Sequence, residues 1–182
     1  MMKLNPTLPA ILILCLAPSA LGHPFHAPSL PASVAGVLHP LIGWDHLLTT
    51  LAVGLWSARL AGNARFILPT IFLLAMALAA GVTTPGASLP LTEHALLAST
   101  IAFTFFAALA IRIPLRLASL MTATFAGFHG HAHAAELPPA MSNASYTCGV
   151  LFATALLLGT GLALGLLLRR WHDDDAFALK PS

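Results

Sequence analysis

Residues 128–136 read Phe-His-Gly-His-Ala-His-Ala-Ala-Glu and place three histidines and a carboxylate at the end of a long apolar run. Wound as a helix, His129, His133 and Glu136 stand at i, i+4 and i+7 and share one face, while His131 points roughly the other way. Two imidazoles and a carboxylate on one face form half a site for a divalent transition ion. A second cluster lies far upstream, His39-Pro40-Leu41-Ile42-Gly43-Trp44-Asp45-His46. His39 and His46 are seven apart and share a face if the helix begins early enough. Asp45 lies a few residues into an apolar span. An acid there suits the helix dipole. Deeper in hydrocarbon a charge costs about 2.5–3.5 kcal/mol, so it faces a partner or a cavity. A third group, Thr92-Glu93-His94, opens another apolar run. Thr92 as N-cap and Glu93 on the dipole explain that pair as well as a metal role does.

The donors on offer are imidazole and carboxylate. No thiolate is near, and methionines such as Met121 and Met141 do not cluster. That disfavours Cu(I) and suits Ni(II), Co(II) or Zn(II), among which affinity order alone does not choose. Imidazoles bind metal only when deprotonated, so affinity should weaken as pH falls through the histidine range.

The elements that position these groups lie in a membrane. Of the 182 residues, 58% are hydrophobic and 8% charged, against about 25% charged in a soluble domain. The net charge of +2 says little about partners, and arginines scattered in ones and twos exclude a nucleic-acid-binding patch. The start reads as a cleavable signal peptide over residues 1–22: Lys3, an apolar stretch Leu8–Ala17, then Ala20-Leu21-Gly22. Cleavage would expose His23-Pro24-Phe25-His26 and remove Cys15. Cys148 would then be alone, without an internal disulfide partner.

The fold class expected is all-α, a polytopic transmembrane helix bundle of about five mature spans. Residues 23–38, rich in Pro, Ala and Ser without a period, form a periplasmic lead-in. Residues 39–170 form the helical domain, with spans at about 40–59, 66–82, 93–111, 117–135 and 146–168. Residues 171–182 are a polar, disordered cytoplasmic tail. Leu137-Pro138-Pro139 stops the fourth span. Gly161 and Gly165 make a GxxxG pair, read as packing within the chain. A cleaved signal places the mature N-terminus outside the cytoplasm, and five spans place the C-terminus inside. The arginines Arg59, Arg65, Arg112, Arg116, Arg169 and Arg170 then all fall on the cytoplasmic side, as the positive-inside rule requires. The ligand candidates fall at the outer ends of spans one, three and four. Multi-pass insertion in a bacterial inner membrane is the expected location.

His39-Pro-x-x-Gly43-x-Asp45-His46, followed by Leu-Leu, and Phe128-His129-Gly130-x-Ala132-His133-x-x-Glu136-Leu-Pro together resemble the two motifs of the HupE/UreJ family. These are bacterial membrane proteins of hydrogenase and urease gene clusters, regarded as secondary nickel or cobalt permeases. The resemblance runs from the signal peptide through the fifth span. It implies metal-associated residues at His39, Asp45, His46, His129, His133 and Glu136, with Glu93 and Ser99 as further acidic and hydroxyl positions. Ala134 stands where the family usually has Gly, and many members carry one more apolar span.

The function expected is therefore secondary transport of a divalent ion, nickel or cobalt, through a periplasm-facing entry site. The ion would supply hydrogenase or urease maturation. His23, His26, Glu93, His94 and His131 are accessory metal candidates. No prosthetic group and no enzymatic activity are expected. The partners are the ion and the lipid bilayer, with a homo-oligomer left open. Two other readings fit the same residues. One is an intramembrane zinc hydrolase in which Asp45 or Glu136 activates water and Ser99 assists. The other is a non-transporting metal- or haem-binding protein, with His46 and His129 as facing haem ligands.

Overall fold

A computed structural model describes residues 30–60, 62–137 and 141–178, with side chains through residue 170. The signal peptide, His23 and His26 lie outside the described residues. Among those residues the chain is all-helical and free of strands: α1 Ala32–Ile42, α2 Trp44–Arg59, α3 Ala64–Val82, α4 Thr92–Ala108, α5 Leu115–Ala135 and α6 Asn143–Ala178.

Three boundaries depart from the sequence expectation. The lead-in is already helical at Ala32, because α1 is held by packing rather than by its own periodicity. Gly36 of α1 lies against the backbone carbonyl of Tyr146 in α6, and Gly149 of α6 against that of Ser33. A Cβ at either glycine would strike main chain. The first expected span is also broken. Gly43 adopts an extended conformation, φ −70 and ψ 103, and separates α1 from α2, so His39 and His46 do not share one helix. At the other end α6 runs for 36 residues, to Ala178, where a disordered tail was expected. A smaller difference lies at the start of α4. Leu91, with a left-handed φ of 66, is the N-cap. Thr92 is the first helical residue, and its Oγ1 donates back to the Leu89 carbonyl at 2.8 Å.

Helix α6 is the spine. It packs along α1 and α2, while α3 pairs with α5 and α4 packs on α2. Small residues permit the close crossings. Gly54 of α2 faces the Leu158 carbonyl, Gly161 faces that of Leu51, and Gly165 sits against Ala58 and Leu55. The GxxxG pair is thus used within the chain. Gly130 of α5 lies against the main chain of Met76 in α3, which sets the rotation of the histidine-bearing end of α5.

Polarity is distributed inside out. Thr49, Thr50, Ser57, Ser99, Thr100, Thr122, Thr154 and three histidines are buried, while Leu74, Leu78, Leu120, Phe152 and Leu156 are exposed. Such a surface suits an apolar solvent. Helix α3, 19 residues, and the stretch Asn143–Arg170, 28 residues, are long and apolar enough to cross a membrane. Helices α2 and α4 have 16 and 17 residues, about 25 Å each at 1.5 Å per residue. Helix α5 is 21 residues long but spends its last two turns on histidines.

Candidate metal centre

Three imidazoles meet where α2 and α5 converge. His46 is the third residue of α2, and His129 and His133 are one turn apart near the end of α5. All three are buried, at 2%, 1% and 6% exposure, so solvent does not compete for their ring nitrogens. His46 is central. Its Nδ1 lies 3.3 Å from Nδ1 of His129 and 2.9 Å from Nε2 of His133. One nitrogen from each ring falls within 4.8 Å of the others. An ion held by imidazoles at 2.0–2.1 Å separates neighbouring donors by about 3.0–3.4 Å. The two His46 distances sit close to that interval. Phe72 of α3 closes the apolar side, its ring centroid 6.4 Å from that of His46 and 5.9 Å from that of His129.

A polar collar surrounds the rings. Nε2 of His46 lies 2.9 Å from Oγ1 of Thr154 on α6. Nε2 of His129 lies 3.0 Å from Oγ of Ser99 on α4. Thr49 links Ser99 at 3.4 Å and Thr100 at 2.9 Å, and Thr100 also donates to the Asp45 carbonyl at 3.2 Å. Nδ1 of His133 is buried without a hydrogen-bond partner.

The remaining sequence candidates take other places. His39 stacks edge-on over His133, with centroids 4.8 Å apart, and its Nε2 stands 4.0 Å from Oε2 of Glu136. This pair forms a layer above the three imidazoles. The Asp45 carboxylate accepts the backbone N–H of His46 at 2.8 Å. It serves the N-terminus of α2, as an acid in a first turn does, and does not enter the cluster. Glu93, His94, His131 and Glu136 line one open depression with residues of the loop that precedes α4. His131 turns away from the three rings, as its helical position requires, to Thr83 Oγ1 at 3.1 Å. Partial burial pushes the Glu136 carboxyl up to about 7, and the nearby carboxylates of Glu93 and Asp45 push the same way. Thr154 was missed by reasoning from the sequence. Its only signal is a hydroxyl inside the apolar run of α6, eight residues after Tyr146.

The two histidine motifs thus meet in space, on a bundle whose exposed surface is apolar. The HupE/UreJ family profile, described as HupE / UreJ protein, matches residues 11–179. The chain belongs to the HupE/UreJ family. Protein HupE of Rhizobium leguminosarum bv. viciae is 37% identical over 164 residues, covering 88% of this chain and 83% of the relative. No solved structure matches the chain. HupE/UreJ proteins are membrane proteins of the hydrogenase and urease nickel/cobalt accessory group, and they are transporters or accessory proteins rather than enzymes. The zinc-hydrolase alternative is thereby set aside. Haem would place the two ligating nitrogens on opposite sides of its iron; here the His46 and His129 ring centroids are 5.1 Å apart and their Nδ1 atoms 3.3 Å, a spacing that suits neighbouring donors of one ion.

Proposed function

We propose that this HupE/UreJ protein is a secondary permease that carries a divalent ion, nickel or cobalt, across the bacterial inner membrane toward metalloenzyme maturation, of hydrogenase or urease. The observation that carries this reading is the convergence of His46, His129 and His133 on one buried point. A buried, thiolate-free imidazole set suits Ni(II) or Co(II). The ion is cargo.

The path begins at the depression lined by Glu93, His94, His131 and Glu136, passes the His39–Glu136 layer and reaches the three imidazoles. Asp45 adds negative charge beside the path. His23 and His26, exposed by signal cleavage, would collect ions first. Five spans with a periplasmic start put the depression outside and every arginine inside. Arg169 donates to the Ala58 carbonyl at 2.8 Å, so the ends of α6 and α2 that carry Arg169 and Arg59 lie together. Below the imidazoles, Ser99, Thr49 and Thr100 extend the polar lining inward.

Radiolabelled nickel accumulation in nickel-starved cells that lack other importers tests the proposal. Wild type should accumulate nickel and H46A should not. Equal accumulation by both would remove the imidazole cluster from the ion's route. No accumulation by wild type would rule out nickel transport.

A further inference from the structure

A hydroxyl group has one proton, and two hydroxyls at the metal centre have already placed theirs. Oγ1 of Thr154 lies 2.8 Å from the Val150 carbonyl oxygen, and Oγ of Ser99 lies 2.7 Å from that of Leu96. A carbonyl cannot donate. Two oxygens that close would repel unless the hydroxyl proton lay between them. Each hydroxyl therefore meets its imidazole with a lone pair, and the ring nitrogen must donate. The nitrogens concerned are Nε2 of His46 and Nε2 of His129, at 2.9 Å and 3.0 Å.

We infer that Thr154 and Ser99 are positioning residues that hold His46 and His129 as Nε2–H tautomers, so that both Nδ1 lone pairs are aimed at the ion. This rests on the reading of the three imidazoles as an ion site. The tautomer of a ligating imidazole is set by the hydrogen bond its other nitrogen makes. Here two different helices, α6 and α4, set it from opposite sides. The consequence is visible between the rings. Two bare Nδ1 atoms 3.3 Å apart repel each other and favour a cation between them. Without an ion, Nε2–H of His133 donates to Nδ1 of His46 across 2.9 Å. That leaves His133 Nδ1 as the partnerless buried nitrogen observed among the described residues. The proton on His133 Nε2 therefore stands where an ion would stand.

The test uses the full chain in lipid nanodiscs, labelled with 15N-histidine, and Co(II) or Ni(II) salts as probes. Nitrogen NMR of the ion-free protein separates protonated from bare ring nitrogens, with His46 and His129 assigned by H46Q and H129Q. Nε2–H on both rings is expected, and Nδ1–H on either would overturn the inference. T154V keeps the shape of threonine and deletes the acceptor. It should release the His46 tautomer preference and weaken Co(II) binding about 10- to 100-fold, and S99A should do the same for His129. T154S should restore both readouts, which a purely structural role for the side chain does not predict. An unchanged His46 tautomer in T154V would overturn the assignment. Wild type that shows both Nε2–H tautomers but binds neither Co(II) nor Ni(II) would overturn the ion-site reading and not the tautomer assignment.

Discussion

Nε2 of His133 stands 2.9 Å from Nδ1 of His46, across 87 residues of chain. His46 is also the ring that His129 faces, so both of these short nitrogen–nitrogen contacts include it. H46A should therefore be the most damaging single truncation. Loss of a partner that only orients a ligand costs about 10- to 100-fold in metal affinity, and loss of the central ligand should cost at least the upper figure. Titration of purified H46A, H129A and H133A with Ni(II) checks the ranking. Wild-type affinity in H46A would show that the ion binds elsewhere.

Binding should also depend on pH, with a definite sign. Imidazoles bind only when neutral, so nickel affinity should fall once acidification protonates them. A second contribution comes from the mouth. The Glu136 carboxyl, raised to about 7, is anionic above that value and neutral below it, so acidification also removes attraction for the incoming cation. E136Q should flatten the part of the uptake profile near neutrality and leave the fall caused by imidazole protonation in place. An identical profile in E136Q would remove Glu136 from the route.

Much of this was legible in the sequence because polar side chains in hydrocarbon are costly and do not occur by accident. Histidines spaced by four in an apolar run had to share a face, and His129 and His133 do. His131 had to point elsewhere, and it reaches Thr83. Spacing within one helix carries no information about rotation between helices. Whether His46, Asp45 or His39 would meet His129 depended on the break at Gly43 and on the contact of Gly130 with Met76. Those place His46 in the cluster, His39 above it and Asp45 on its own helix end. Thr154 was invisible for the same reason. A threonine in an apolar helix ordinarily bonds its own backbone, and only the packing of α6 shows that its free lone pair meets His46.

The glycines of α6 give a test of that packing by opposite signs. Gly159 has open space where a Cβ would go, while Gly161 faces the Leu51 carbonyl. G159A should be neutral or stabilise by about 0.5–1 kcal/mol, the usual helical preference for alanine over glycine. G161A must push α2 away and should destabilise by about 1–3 kcal/mol. Thermal unfolding in one detergent compares the two, and equal melting temperatures would contradict the α2–α6 crossing.

Orientation yields the last prediction. Arginines occupy the turns and ends Arg59, Arg65, Arg112, Arg116, Arg169 and Arg170, while the opposite end carries Glu93, His94 and Glu136 without a lysine or arginine. Short loops rich in arginine remain in the cytoplasm. Ser88, exposed in the turn after α3, and Asn63, exposed in the turn before it, should therefore lie on opposite sides of the membrane. In a background with Cys15 and Cys148 changed to serine, a membrane-impermeant maleimide added to spheroplasts should label S88C and spare N63C. Disruption of the membrane should expose N63C to the same reagent. The reverse pattern would put the histidine mouth in the cytoplasm and turn the proposed importer into an exporter. Labelling of both sites before disruption would mean that the turns flanking α3 share a side, and α3 could not then be a span.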